Sequence, residues 1–306
     1  MRIDDLTKLA ELAKEQAQAS GQKKRAALVA AHEPHALESS IAARRQGLID
    51  LVLIGEAGAI TTYLRDAGEQ PTDYRIIDAA NHEQCVQEAI ELVQVGEVDF
   101  LIKGILETGE LMRGLVNKET GIVKPGAIVC PVALLQSPRY PKIFALADVG
   151  ITLYPDVDKK VKILNNCVWM MHRIGVTQPK VALLSAVEKV NPKMPDTQDA
   201  DAIKQKYLKG EITGCIVEGP ISFDLAIDKD AAAIKKYSSP VAGDADVLIV
   251  PDMVAGNLLI KGMGFFGQMQ TADLVIGLEV PVVFGSRGGP VEGKLRSIAL
   301  AVLVSD

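Results

Sequence analysis

Short apolar runs alternate with longer amphipathic segments along most of the chain. Residues 25–31 and 50–55 are apolar runs of strand length, and the segments that follow them, 35–47 and 56–67, carry apolar residues at helical spacing. Strands that alternate with helices of about 10–15 residues are typical of parallel βαβ units. The alternation therefore predicts an α/β fold with mostly parallel sheets.

The alternation is interrupted once, near the middle of the chain. Residues 127–135 and 142–148 are apolar runs joined by a turn-rich connector that is too short for a helix, which predicts an antiparallel pair. The interruption predicts two α/β domains with a ligand cleft between them. We expect these bounds: 1–122 joined by the C-terminal segment 285–306 for the first domain, and 123–284 for the second.

The alternation then resumes up to the C-terminus. The pattern predicts one helix over residues 223–237, one strand over 274–284 and a final helix over 290–304.

Composition limits the partners that the chain can have. The 33 Lys and Arg residues against 39 Asp and Glu residues give a net charge of −6, which provides no general attraction to nucleic acid or anionic lipid. The four cysteines form no metal-binding spacing, and the sequence shows neither a secretory signal nor an apolar stretch of about 18 residues. We expect a cytoplasmic protein without a nucleic-acid or membrane partner.

Glycine-rich and polar turns follow several predicted strands, where open parallel sheets bind their ligands. The turn at 285–289, with the sequence GSRGG, combines flexible backbone with Arg287, which is able to bind phosphate oxygens through two N–H groups. It predicts an oxyanion site, and an ordinary turn with a surface arginine is the alternative. The chain has no GxGxxG after its first strand, no GxxxxGK[ST] and no GxSxG, so dinucleotide, P-loop and serine-hydrolase sites are not supported.

Longer motifs connect these turns to a known family. Residues 218–261 contain GP-x-x-F-D-x-A, SPVAG-x-AD-x-L-I-x-PD and AGN-x-x-x-K, and this stretch resembles the phosphate acetyl/butyryltransferase family. Ser286-Arg287-Gly288 stands where that family has its catalytic Ser-Arg, and Thr108 and Arg113 match its T-x-x-x-x-R. The similarity extends over nearly the whole chain, and the sequence of the first half more closely resembles the phosphate butyryltransferase branch.

The resemblance implies a fold, an assembly and a reaction. The fold would have two α/β/α domains, like the isocitrate and isopropylmalate dehydrogenases, with the active site in the interdomain cleft and a homodimer as the assembly. The reaction would interconvert acyl-CoA and phosphate with acyl phosphate and CoA, for a short acyl group such as butyryl. Coenzyme A and phosphate would be substrates, and no metal or bound cofactor would be needed.

The resemblance also implies catalytic residues. Arg287 would bind phosphate and stabilise the transition state, and Ser286 would donate a hydrogen bond to the carbonyl or phosphate oxygen. The acetyltransferase branch places a proposed basic aspartate six residues after this arginine, where the present chain has Gly293. Glu292 is the candidate base in its place, and a carboxylate that favours a helix N-terminus is the alternative.

Five further residues are implied on the substrate side. Arg113 would hold phosphate or acyl phosphate, with Thr108 and Gly104 beside it. Asn257 and Lys261 would line the CoA or phosphate side, and packing or capping is the alternative for Asn257.

One further arginine of the acetyltransferase site has no recognisable counterpart in this chain. Arg44, Arg45 and Arg139 are available, and the sequence alone does not choose among them.

Three other functions remain open at this stage. The first is the same chemistry with acetyl as the preferred group, and the second is a non-catalytic domain that senses acyl-CoA. The third is a metal-dependent dehydrogenase of the related fold, for which Asp148, Asp156 and Asp252 would be the metal ligands. These aspartates are better explained as residues of strand ends and turns. The acyl preference and the physiological direction are not readable from the sequence.

Overall fold

The computed structural model describes residues 2–32, 34–284 and 291–306. The described strands are β1 Lys24–Val29, β2 Ile49–Gly55, β3 Arg75–Asp78, β4 Phe100–Lys103, β5 Cys130–Gln136, β6 Phe144–Ala147, β7 Lys180–Leu184, β8 Ile216–Ile221, β9 Val247–Ile249, β10 Gln270–Ile276 and β11 Val282–Val283. The described helices are α1 Leu9–Ser20, α2 Pro34–Arg45, α3 Ala57–Asp66, α4 His82–Gln94, α5 Thr108–Leu115, α6 Val157–Arg173, α7 Pro195–Leu208, α8 Phe223–Ile227, α9 Lys229–Ile234, α10 Met253–Phe266 and α11 Val291–Val304. The predicted α/β class is confirmed.

Contacts between residues divide the chain into two units, and the first of them contains residues 7–129 and 272–306. Its strands lie in the order β3-β2-β1-β4-β11-β10. Neighbouring strands are parallel except for the antiparallel pair β10 and β11. Every residue of β4, and every residue of β1 from Ala26 onward, is buried, which explains why these strands are continuous apolar runs.

The second unit contains residues 1–6 and 130–271. Its strands lie in the order β5-β6-β9-β7-β8. The pair β5 and β6 is antiparallel, as predicted, with Ala133 opposite Leu146. The other pairs are parallel. The mostly parallel arrangement that the alternation predicts is therefore present in both units.

The contact-based bounds differ from the predicted ones at three segments, 1–6, 123–129 and 272–284. Residues 1–6 belong to the second unit, where the amide of Leu6 donates to the side-chain oxygen of Gln136 at 2.7 Å. The other two segments belong to the first unit, because Val123 forms a β-bridge with Leu278 and β11 pairs with β4.

The prediction of one strand over residues 274–284 is wrong. The segment forms the end of β10, a turn and the short strand β11, which returns antiparallel to β10. Gly277 begins the turn with φ +96°, and a Cβ on this residue would lie 2.0 Å from the backbone oxygen of Ile128. Glycine is therefore required at this position by both its backbone conformation and its surroundings.

The prediction of one helix over residues 223–237 is also wrong. Asp228 adopts an extended conformation, with φ −121° and ψ 115°, and separates α8 from α9. Its carboxylate accepts hydrogen bonds from the amides of Asp230 and Ala231, so it acts as the N-cap of α9. None of the described helices has both the length and the apolar composition needed to cross a bilayer.

Helix α10 lies directly against the carboxyl end of β6. A Cβ on Gly256 would lie 2.2 Å from the backbone oxygen of Asp148, whereas a Cβ on Gly264 of the same helix would meet no atom within 4 Å. The helix is therefore able to approach the strand end only because Gly256 has no side chain.

We expect Gly256→Ala to lower the free energy of unfolding by about 1–3 kcal/mol, because the added methyl group forces α10 away from Asp148. Gly264→Ala is the matched control on α10, and we expect it to be neutral or to stabilise by up to about 1 kcal/mol, since alanine favours helix. Urea unfolding of the two variants measures both effects. Equal effects of the two substitutions would contradict the close approach.

Candidate active site

Gly104 lies at the carboxyl edge of the parallel strands in the first unit. Its amide donates to the backbone oxygen of Val29 at 2.8 Å, which joins the ends of β4 and β1. A Cβ on Gly104 would lie 2.2 Å from the backbone oxygen of Ala30. Gly104 is therefore needed for packing at this edge, whatever its contact with substrate.

The loop from β4 to α5 is held by a buried lysine. The ammonium group of Lys103 donates to the backbone oxygens of Gly104 at 3.2 Å and Leu106 at 3.0 Å. A buried charge requires such partners. Lys103 thus fixes the loop that leads to Thr108, the first residue of α5, whose side chain is exposed.

The start of α5 is tied to the start of α4 through Glu110. One carboxylate oxygen of Glu110 accepts from the amide of Glu107 at 2.8 Å and lies 3.1 Å from Nδ1 of His82. The hydrogen bond from the Glu107 amide and the contact with His82 hold the pKa of Glu110 below its usual value. The His82 ring also stacks on the His32 ring, at 5.8 Å between centroids.

Arg113 lines a cavity of about 400 Å³ between α4 and α5. His82, Glu110 and Asn117 also line this cavity, which makes its wall strongly polar. Arg113 is exposed, so its guanidinium group is accessible to a dissolved anion. The structure therefore places Arg113, Thr108 and Gly104 on one continuous loop-and-helix segment.

Ser286 and Arg287 lie outside the described residues. The described chain reaches them from β11, where Val283 pairs in parallel with Ile102 of β4, so it leaves β11 at the edge where β4 ends. It resumes at Val291, the first residue of α11, and Glu292 is exposed in the first turn of that helix.

Asn257 and Lys261 lie one turn apart on α10, in the second unit. The side-chain amide of Asn257 donates to the backbone oxygen of Val149 at 3.0 Å, so this residue has a packing role. Lys261 is exposed.

The structure gives different surroundings to Arg44, Arg45 and Arg139, among which the sequence did not choose a further site arginine. Arg44 and Arg45 both pair with Glu69, at 3.7 Å and 2.7 Å, and Arg44 also lies 4.3 Å above the ring of Tyr74. These contacts occupy both guanidinium groups in the packing of the first unit. Arg139 lines a largely apolar cavity of about 820 Å³ beside α10 in the second unit.

The three aspartates considered as metal ligands are bonded to backbone amides. Asp148 accepts three such bonds, at 2.7–3.0 Å, from residues 150–152. Asp156 and Asp252 cap α6 and α10, at 2.8 Å and 2.9 Å from the amides that they accept. Their interpretation as residues of strand ends and turns is confirmed. Among the described residues, no group of three His, Cys, Asp or Glu side chains is arranged to hold a metal ion.

Two side chains of the first unit, His82 and Asp273, were not predicted from the sequence as parts of the candidate site. His82 contacts Glu110 across 28 positions of the chain, and no local pattern reveals such a pairing. Asp273 lies within the apolar strand β10, and its Oδ1 is buried without a hydrogen-bond partner among the described residues. An isolated acidic residue inside an apolar strand is a signal that could have identified Asp273.

Comparison with known proteins identifies the class of protein that this fold and these motifs define. The family model for phosphate acetyl/butaryl transferase matches residues 60–302. The chain therefore belongs to this family and is an acyltransferase enzyme. The matched range contains every candidate site residue.

Curated relatives from both branches of the family match almost the whole chain. A phosphate butyryltransferase from Clostridium acetobutylicum is 34% identical over 286 residues, which cover 94% of this chain and 95% of the relative. A phosphate acetyltransferase from Thermotoga maritima is 36% identical over 298 residues, which cover 97% and 99%.

Solved structures show the same fold. The crystal structure of a branched-chain phosphotransacylase from Enterococcus faecalis V583 matches with a TM-score of 0.80 and 28% identity, over 92% of this chain and all of that chain. A 4-hydroxythreonine-4-phosphate dehydrogenase from Klebsiella pneumoniae matches with a TM-score of 0.56 and 15% identity, over 93% of this chain and all of that chain. The second match concerns the fold alone and agrees with the expected dehydrogenase-like architecture.

Variants of Asn257 and Lys261 separate packing from substrate binding. We expect Asn257→Ala to lower the free energy of unfolding by about 1 kcal/mol, because the hydrogen bond to Val149 is lost. Lys261→Ala should leave stability unchanged within about 0.5 kcal/mol, since it is a surface substitution, and should raise KM for acyl-CoA. Urea unfolding and steady-state kinetics measure these effects. Unchanged kinetics for Lys261→Ala would remove this residue from the site.

Proposed function

We propose that this acyltransferase interconverts acyl-CoA and phosphate with acyl phosphate and CoA, and that its acyl group is short, such as butyryl. The observation that carries the proposal is the family match over residues 60–302. That range includes the loop and helix on which Gly104, Thr108 and Arg113 lie. The test is the release of free thiol from butyryl-CoA by the purified chain, with and without phosphate.

The proposed reaction transfers an acyl group between sulfur and oxygen. In the direction that forms acyl phosphate, a phosphate oxygen attacks the thioester carbonyl carbon, the new C–O bond forms, and the C–S bond breaks. CoA leaves as a thiolate that takes up a proton, and the reverse direction needs the thiol to lose one. Because a free thiol has a pKa of about 8.5, a moderate base or a nearby cation is sufficient.

The proposed roles follow the chemistry of each side chain. Arg287 binds phosphate and stabilises the negative charge of the transition state, and Ser286 donates a hydrogen bond to the carbonyl or phosphate oxygen. Arg113 and Thr108 hold phosphate or acyl phosphate from the first unit. Glu292 is the proposed base for the thiol, and its exposure at the start of α11 leaves it accessible to substrate.

A second candidate is the same reaction with acetyl as the preferred group. The 36% identity to the Thermotoga maritima phosphate acetyltransferase favours it specifically. Thiol release from acetyl-, propionyl-, butyryl- and isobutyryl-CoA separates the two candidates by the ratio of kcat/KM values. Binding of acyl-CoA without any phosphate-dependent thiol release would indicate a sensing domain instead.

We expect Arg287→Ala to reduce phosphate-dependent CoA release by at least about 100-fold, because removal of one charge-stabilising donor has an effect of this size. Arg75→Ala is the matched control: Arg75 is a surface residue that pairs with Glu97, and we expect its loss to leave turnover unchanged. Turnover of Arg287→Ala close to that of the unmodified protein would contradict the assignment of the site.

A homodimer through α10 is the assembly that we propose. Leu258, Phe265 and Phe266 are 68%, 84% and 85% exposed on this helix, and its exposed apolar side chains adjoin the cavity of about 820 Å³. Exposed apolar surface of this kind is typical of protein interfaces. Lys261 lies one turn from both Leu258 and Phe265, so the same interface would border this proposed substrate residue.

We expect the double substitution Leu258→Ser and Phe265→Ser to convert a dimer into a monomer, because it removes apolar area from the interface. Val95→Ser is the matched control, since Val95 is an exposed apolar residue, 67% accessible, in the other unit. Sedimentation velocity measures the mass of each protein. A double variant that remains dimeric would place the interface elsewhere.

Two further properties stay predictions. The absence of a required metal or bound cofactor is tested by activity in the presence of a chelator. A cytoplasmic location is supported by four free, buried cysteines, Cys85, Cys130, Cys167 and Cys215, which are suited to a reducing compartment.

A further inference from the structure

Asp273 lies at the edge of the first unit's sheet where β4 ends and Gly104 follows. It directly precedes Leu274, which pairs with Val283, so Asp273 is beside the point where the chain leaves β11. Strand β11 pairs in turn with β4, which ends at Lys103. Two strand spacings, about 10 Å, therefore separate the backbone at Asp273 from the end of β4.

The first turns of α11 contact Asp273. The amide of Asp273 donates to Oγ of Ser297 at 2.9 Å, and that hydroxyl donates to the backbone oxygen of Gly293 at 3.2 Å. Oδ1 of Asp273 is buried and has no hydrogen-bond partner within the described ranges. A buried carboxyl oxygen without a partner is unfavourable for folding, and it remains chemically available.

Among the described residues, Arg296 is the charged group that affects the pKa of Asp273. Burial raises the pKa of Asp273 to about 7, and the positive charge of Arg296 opposes this increase. Burial in turn lowers the pKa of Arg296, against the effects of Glu292 and Asp273. Strand β11 also pairs with β10 in this unit. It consists of Val282 and Val283, so it adds no titratable group beside Asp273.

We propose that Asp273 is a positioning residue for the acyl-transfer site, and that its ionised form holds Arg296 and the start of α11 in the active arrangement. When Asp273 binds a proton, its attraction to Arg296 is lost and the start of α11 is less firmly held. In sequence, Ser286 and Arg287 precede this start by only a few residues. The proposal rests on the proposed function, because it concerns the same site.

The rate of phosphate-dependent CoA release between pH 5.5 and 8.5 tests the proposal. For the unmodified protein we expect kcat/KM to rise with pH, with a midpoint near pH 7, and to level off toward pH 8, as Asp273 loses its proton. We expect Asp273→Asn, which has the same shape, to lower kcat at pH 8 at least about tenfold and to remove this pH dependence. An Asp273→Asn protein that retains the acid limb of the profile would overturn the proposal.

Two variants that keep the carboxyl group of Asp273 sharpen the result. Arg296→Gln removes the cation that favours the ionised form, so we expect the acid limb to move to higher pH. Glu292→Gln lowers the rate through the proposed base, and we expect it to keep the limb near pH 7. If Arg296→Gln does not move the acid limb of the pH profile, or if Glu292→Gln abolishes it, the titrating group is not Asp273.

Thermal unfolding tests the buried ionisation without any activity. The folded pKa of Asp273 lies above the unfolded value of about 3.9, so this group makes the protein less stable as pH rises from about 4 to 7. We therefore expect the Tm of Asp273→Asn, relative to the unmodified protein, to increase between pH 5 and pH 8. A constant difference would refute the buried ionisation. A lack of CoA release by the unmodified protein would instead refute the proposed function.

Discussion

The position of the candidate residues depends on close contacts that only glycine permits. Backbone oxygens lie within 2.2 Å of the place where a Cβ would stand at Gly104 and at Gly256. These oxygens belong to Ala30 and Asp148, which follow the strands β1 and β6. A larger residue would displace the loop before α5 in the first unit or the helix α10 in the second. Of the side chains that we assign to substrate, Thr108 and Arg113 lie on α5, and Asn257 and Lys261 lie on α10.

Buried charges next to these contacts are used mainly to shape loops. Lys103 donates to two backbone oxygens, and Asp148 accepts from three backbone amides. Each charge is satisfied by the chain that immediately follows it, so a loop with polar backbone is able to lie at a buried strand end. Such groups are poor candidates for chemistry, because their lone pairs or protons are already engaged. Asp273 differs from both in having a buried oxygen without such a partner in the described structure.

Hydrophobic periodicity predicted the strands and helices correctly in those parts of the chain where one apolar run forms one strand. It failed over 274–284, because Leu278, Val280 and Pro281 of the turn continue the apolar sequence of β10 into β11, although only Leu278 of these three is buried. It failed over 223–237 because an aspartate at a helix cap, Asp228, fits the same spacing as an aspartate on an exposed helix face. Long motifs identified Thr108 and Arg113, since these lie five residues apart on a single helix. Motifs did not reveal the contacts that hold this helix, because those contacts form only on folding.

Asp99 and Asp273 show how differently two carboxyl groups of one unit affect folding. Burial raises the pKa of Asp99, but two hydrogen bonds and the charge of Arg25 outweigh burial and hold it below its usual value. Asp99 therefore stabilises the fold above its unfolded pKa, and this stabilisation is lost in acid. The effect of Asp273 on stability has the opposite direction, because the charge of Arg296 does not offset the increase in pKa that burial causes. A neutral side chain of the same shape would relieve the fold of this penalty. The ionisable group at Asp273 is therefore better explained by its action on α11 than by stability.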